Sequence, residues 1–345
     1  MMDERDSGMI ESKNFPVWRE SIRNGYIRMH LLYALEETKV FDALRRADAT
    51  GRTAGELAAE CDLEPRILEG ALDYLTFSDV VLTKTDGRYA LSAQGRDWLG
   101  QDATLNMTYM MEAYAPLLEE LLPALRRAQV YGRDFTRDGG LLAFASLKGT
   151  RGTYPWIVEK MRSLGVEIVA DLGCGAGGLL TDFCQLDPGL RGVGVDRDPG
   201  AVEEARRQMR AHGLADRVRI VQGDLVNPAT FATELQDAQA FNALGVVHEI
   251  LGDGEQAVVQ MFQRMKQLFP GRYFFLGEFN KLPDEDWAHI PPADRMKKLH
   301  YQHIMHPMSN QTLLPRAGWL ALFERAGITC LEVNSFFVDE YVLQL

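Results

Sequence analysis

Cysteine is scarce in this chain of 345 residues: Cys61, Cys174, Cys184 and Cys330 are scattered, with no CxxC pair among them. That spacing points to neither a disulfide framework nor a zinc-thiolate site, and a reducing cytoplasm fits it. Long apolar runs are missing too. None approaches the ~18 residues needed to span a bilayer, so no membrane association is expected. The opening Met1-Met2-Asp3-Glu4-Arg5-Asp6 is acidic, with no apolar core behind it, unlike a secretory signal. Positive charge is in deficit: 37 Lys and Arg face 49 Asp and Glu, for a net charge of −12. A nucleic-acid partner held by general phosphate attraction is therefore not expected. A small anionic substrate would have to be met by individual Arg or Lys side chains. The hydrophobic share of 46% and charged share of 25% are those of an ordinary globular protein, long enough for two domains.

Residues 1–100 read as short helices followed by a hairpin. Ile27, Leu31, Leu32 and Leu35, then Val40, Phe41 and Leu44, follow helical spacing. Thr53 is placed to cap a short helix through Ala59, and Glu64-Pro65 opens another that buries Ile67, Leu68, Ala71, Leu72 and Leu75. Val80-Val81-Leu82 and Tyr89-Ala90-Leu91 flank Asp86-Gly87, a hairpin turn signal. Together they form a winged-helix pattern. Its recognition helix carries Glu64, Glu69 and Asp73 against Arg66 alone, which DNA phosphates would repel. Dimerisation is the expected role of this domain.

Residues 101–160 read as connecting helices and a substrate-side loop, Tyr131 to Gly140, that carries Arg133 and Arg137. From 161 to 345 strands and helices alternate. Val166–Leu172, Gly192–Asp196, Val218–Gln222, Ala240–Val247 and Arg272–Phe279 are strand candidates, and Ile328–Val333 with Glu340–Leu345 forms a closing hairpin. The alternation implies an α/β fold with a parallel sheet covered by helices on both faces, ending in one antiparallel strand.

Three strand ends carry acids in order. The first is Val169-Ala170-Asp171-Leu172-Gly173-Cys174-Gly175-Ala176-Gly177-Gly178, a strand running into a glycine loop. Gly173, Gly175 and Gly178 also spell the dinucleotide fingerprint GxGxxG. Asp171 argues against a pyrophosphate, which a carboxylate there would repel. Asp196 ends the next strand, where it can accept from vicinal ribose hydroxyls. Gln222-Gly223-Asp224-Leu225 ends the third, where an acid can accept from an adenine amine. Read together, Asp171, Gly173, Gly175, Gly177, Asp196, Asp224 and Leu225 resemble the class I S-adenosylmethionine (SAM)-dependent methyltransferase signature. The resemblance implies a Rossmann-like seven-stranded sheet, SAM as cofactor, and Asp171 supporting the loop and engaging the methionyl ammonium directly or through water.

After the fourth strand comes Val246-Val247-His248-Glu249-Ile250-Leu251-Gly252-Asp253. A lone His at a strand end is more often structural, but this one lies at the carboxyl edge, where α/β folds place their chemistry. The segment resembles the His-Asp-Trp region of small-molecule O-methyltransferases, which also carry an N-terminal winged-helix dimerisation domain. That resemblance implies a general base at His248, with Glu249 in place of the Asp and Ile250 in place of the Trp.

Four of seven histidines lie at 289, 300, 303 and 306. Imidazole readily binds zinc and iron, so a metal is a second hypothesis. The arrangement resembles the α-keto acid C-methyltransferases of the phenylpyruvate and 2-ketoarginine type. It implies a divalent metal, Fe or Zn, on His248 and on His306, with His303 and His300 as alternatives. Glu249 would orient an imidazole or move a proton, and Arg133 and Arg137 would meet a substrate carboxylate. The expected activity is metal-assisted methylation of the β-carbon of a small α-keto acid. The alternative is metal-free O-methylation of a hydroxylated metabolite by a homodimer of this chain.

Overall fold

The computed structural model describes residues 15–78, 81–100, 107, 109–137, 154–291, 295, 298–335 and 338–345. Asp138, Gly139 and Gly140 of the expected loop, and much of the 101–160 segment, lie outside them. The chain divides into two compact units, Met1–Glu112 and Ala113–Leu345.

In the first unit the opening helix is longer than the local spacing suggests, a single element from Phe15 to Glu37. Strand β1 (Arg52–Thr53) is followed by the helix Ala54–Cys61, whose start is fixed by a capping box. Thr53 Oγ1 accepts from the Glu56 backbone N–H, and the Glu56 carboxylate accepts from that of Thr53, so two otherwise orphaned amides are satisfied. Strands β2 (Leu82–Thr85) and β3 (Arg88–Leu91) pair across Asp86-Gly87, both at positive φ as a two-residue hairpin turn requires. β1 adds to β3, giving the order β1-β3-β2. Phe41, Leu44, Leu57, Leu72, Leu75 and Tyr89 form the core beneath.

The second unit is built on seven strands: β4 (Ile168–Leu172), β5 (Arg191–Asp196), β6 (Val218–Gln222), β7 (Ala240–Leu244), β8 (Tyr273–Glu278), β9 (Thr329–Ser335) and β10 (Asp339–Gln344). Their order is β6-β5-β4-β7-β8-β10-β9, parallel through β8, with β10 antiparallel to both neighbours. Successive side chains point to opposite faces, so each strand feeds two cores. Ala170, Val193, Phe241, Phe274 and Tyr341 pack on one side, and Val169, Val218, Ala240, Phe275 and Val342 on the other. Because the sheet is covered on both faces, its strands read as nearly continuous apolar runs. Asn242 is the exception within β7, polar yet 1% exposed.

One strand boundary bears on function. The expected strand Ala240–Val247 ends at Leu244, because Gly245 takes φ 65 and turns the chain. His248 therefore sits not at a strand end but on a short helix, Val247–Ile250.

Candidate functional site

The carboxyl ends of β4, β5 and β6 carry the three acids. Gly173 stands at φ 76, and a Cβ there would fall 2.7 Å from Cγ2 of Val246, so both conformation and space demand glycine. The loop is tied to β5 by the amides of Gly173 and Cys174, which both donate to the Val195 carbonyl. Asp196 completes the tie: Oδ2 accepts from the Gly175 amide at 2.9 Å and Oδ1 from the Asp198 amide at 2.9 Å. A carboxylate has about four acceptor positions, so Asp196 keeps capacity for ribose hydroxyls. Asp224 makes a tight turn, its Oδ1 accepting from the Val226 amide at 2.9 Å. Leu225 beside it is half-buried against the main core. Gly177 ends the loop at φ 81, before the helix Gly178–Leu186.

Asp171 lies deeper, 3% exposed. Its Oδ1 accepts from Asn242 Nδ2 at 3.0 Å. Burial pushes its carboxyl up to about 7; Asp196 adds to the rise and the Asn242 hydrogen bond opposes it. No Lys, Arg or His pairs with it among the described residues.

His248 lies beyond β7, 4% exposed. Its Nδ1 donates to Oε2 of Glu278 at 2.7 Å. Glu278, fully buried at the end of β8, also accepts through Oε1 from the amides of Val247 (2.8 Å) and His248 (3.2 Å). One carboxylate thus fixes both the short helix and the imidazole tautomer, leaving Nε2 of His248 with its lone pair.

His306 is the second buried ring, 4% exposed, with its centroid 5.0 Å from that of His248. A π turn over Tyr301–Met305 delivers it. The Tyr301 carbonyl accepts from the His306 backbone amide and, at 2.7 Å, from its Nδ1. Nε2 of His306 is again the nitrogen with the lone pair. Burial, then the nearby His248 and Arg137, lower its pKa to about 3, against the opposing pull of the Tyr301 carbonyl. Phe279 packs against both rings and stacks on Tyr301.

The other expected site residues separate. His303 is exposed and faces Trp287, because the wider π turn carries it off the face it would share with His306 in an α-helix. His300 lies next to the Tyr301 ring, its pKa lowered by burial, and does not meet the His248 ring. Arg133 is exposed and pairs with its neighbour Asp134 at 2.7 Å. Arg137, by contrast, is largely buried and pairs with Glu249, which is exposed. Gln311 ties the pair together, accepting from Arg137 at 3.1 Å and donating to Glu249 at 3.2 Å. Among the described residues no three His, Cys, Asp or Glu side chains form a metal-binding group.

Glu278, Asn242 and Gln311 were not among the expected site residues. Glu278 carried the signal used elsewhere, an acid closing an apolar strand. Asn242 was legible as the one polar residue in Ala240–Leu244. Gln311 carried none.

Residues 169–268 match a family model described as a methyltransferase domain. Over 85 residues the chain is 36% identical to the mitomycin biosynthesis 6-O-methyltransferase of Streptomyces lavendulae, covering 25% of this chain and 23% of that protein. Over 63 residues it is 43% identical to aclacinomycin 10-hydroxylase RdmB of Streptomyces purpurascens, covering 18% and 17%. The matched stretches thus span under a quarter of these relatives' lengths. The human N-acetylserotonin methyltransferase, solved in complex with SAM, superposes with a TM-score of 0.71 at 17% identity, covering 100% of this chain and 99% of that one. The match to a methyltransferase domain thus falls on residues 169–268, and the chain shares with the human structure an α/β fold of a seven-stranded mixed sheet preceded by a mostly helical N-terminal region. No helix among the described residues is long and apolar enough to cross a membrane.

Proposed function

We propose that this protein is a SAM-dependent methyltransferase that methylates an oxygen of a small hydroxylated molecule, with His248 as general base. The observation that carries the reading is the buried His248–Glu278 pair beyond β7, one strand from the glycine loop after β4. The mitomycin relative, an O-methyltransferase by name, supports the acceptor class. The cofactor fits the residues present: acceptors at Asp196 and Asp224 suit ribose and adenine, and the uncompensated Asp171 suits a cation. When bound, SAM supplies an electrophilic methyl on a sulfonium.

The chain's own part is positioning and proton transfer. Nε2 of His248 takes the hydroxyl proton as the oxygen attacks, and Glu278 stabilises the imidazolium that forms. His306, neutral down to about pH 3, places no competing charge beside it. The test is methyl transfer from labelled SAM to hydroxylated aromatics by wild type and His248→Ala. A fully active His248→Ala would reject the base.

A second reading, methylation at the β-carbon of an α-keto acid, is favoured by His306. Two imidazoles with ring centroids 5.0 Å apart, each engaged through Nδ1, would offer Nε2 to a divalent metal such as iron or zinc. The metal would supply Lewis-acid assistance to removing a proton from carbon beside a carbonyl. Arg137 would then meet the acceptor's carboxylate in exchange for Glu249. Near-stoichiometric metal in untagged protein, lost together with turnover in His306→Ala, would decide for this reading. A metal-free, active His306→Ala would decide for the first.

The N-terminal unit is assigned to homodimerisation. Tyr26, Phe77 and, against the expectation that it faces the core, Ile67 are exposed apolar side chains on its helices. Sedimentation of Phe77→Glu, expected to be monomeric, tests this.

A further inference from the structure

Asp171 and Asn242 face each other in register on the adjacent parallel strands β4 and β7, both almost wholly buried. Two features set the pair apart. Asp171 is a buried acid with no cation beside it among the described residues, and Asn242 Oδ1 is a buried acceptor with no hydrogen-bond partner. A buried polar atom left unpaired costs about 1–3 kcal/mol, so an arrangement that keeps one calls for a state in which it is used.

An amide is the side chain that can serve such a state. With Asp171 ionised, Asn242 donates from Nδ2, as observed. With Asp171 protonated, the carboxyl O–H can donate to Asn242 Oδ1 after an amide flip. A Leu could serve neither state, and an Asp would add a second buried charge. We propose that Asn242 is a positioning residue for the cofactor site, its amide matching both protonation states of Asp171, so that a cationic cofactor group is taken up in exchange for a proton. This rests on the SAM reading above, since the incoming cation is the ammonium of the cofactor's amino-acid portion.

The other titratable groups facing Asp171 work in the same direction. Asp196, at the end of β5, disfavours a second negative charge, and Cys174 on the loop has its thiol held well above the usual range by burial and by these acids, so it stays neutral. With the carboxyl at about 7 before binding, most of it is protonated at pH 6 and ionised at pH 8.

The experiment is calorimetric titration of the full chain with S-adenosylhomocysteine, which carries the same ammonium, between pH 6 and 8.5 in two buffers of different ionisation enthalpy. In wild type the affinity should fall about tenfold from pH 8 to pH 6, with nearly one proton released per ligand bound at pH 6. Asn242→Leu, which removes the donor that favours the carboxylate, should move the midpoint to higher pH. Tight binding that stays flat with pH and releases no proton overturns the inference while leaving the cofactor reading intact, as does an unchanged midpoint in folded Asn242→Leu. Absence of binding at every pH overturns both. The proton count is read on wild type and so does not depend on how the variant folds.

Discussion

The two sides of the site are constructed on different principles. On the proposed cofactor side, β4, β5 and β6 each deliver an acid at their carboxyl end, and the backbone satisfies much of the hydrogen bonding: Asp196 alone ties the Gly175 and Asp198 amides. Each element there is a short local motif. On the proposed acceptor side, His248, Glu278 and His306 come from separated segments and meet through side chains, and Arg137 is held beside them by Gln311 and Glu249. A strand-and-loop motif survives changes elsewhere in the chain. A convergent cluster fails when any one contributor shifts, so on the proposed function it is where activity should be lost without loss of cofactor binding.

That contrast can be broken experimentally. The largest effect is expected for His248→Ala: turnover should fall by roughly 10²–10⁴, the usual worth of a general base, with S-adenosylhomocysteine affinity near wild type. A parallel loss of both would mean that the two sides are not separable. Asp196→Ala should do the reverse. Losing charge-assisted hydrogen bonds worth about 1.5–3 kcal/mol each should weaken cofactor binding roughly ten- to hundredfold for any acceptor, as read by calorimetry.

Asp171→Asn sharpens the comparison through stability. The carboxyl sits near 7 in the folded chain against an ordinary value of 3.8. The folded state therefore holds its proton longer than the unfolded one, and the acid costs stability as pH rises from about 4 to 7. Removing that charge should raise stability at pH 8 by on the order of 2–4 kcal/mol, read as a higher Tm, and leave the Tm unchanged near pH 4. An equal gain at both pH values would show that the carboxyl is not the cause. The smallest effect is expected for Arg133→Ala. Its exposed pair with Asp134 should matter to neither Tm nor turnover, whereas Arg137→Ala should raise the KM of an acceptor that carries a carboxylate. Equal behaviour of the two arginines would remove Arg137 from the site.

Much of this was legible in the sequence. The strand ends at Leu172, Asp196 and Gln222 follow from apolar runs meeting turn residues, and the hairpin at Asp86-Gly87 from its turn chemistry. The strand into His248 was overextended, because Gly245, Val246 and Val247 continue an apolar run. Only the packing of Val246 against Gly173 and the positive φ of Gly245 show that the chain turns there. The histidine cluster was visible, but not its sorting. A π turn cannot be read from spacing that assumes α-helical rotation, so spacing alone keeps His303 as an alternative to His306, although the first is exposed and the second buried.

By itself the sequence determined the α/β class, the order of the strand-ending acids and the glycine loop, because these depend on period-2 burial and on local backbone conformations that few residues can adopt. The tertiary structure alone decided that Glu278 orients His248, that His306 and not His303 joins it, and that Asn242 lies against Asp171. Those pairings join residues 30, 58 and 71 positions apart. The register and order of the sheet, which place β7 between β4 and β8, set the first and third of these, and the π turn over Tyr301–Met305 brings in His306 for the second.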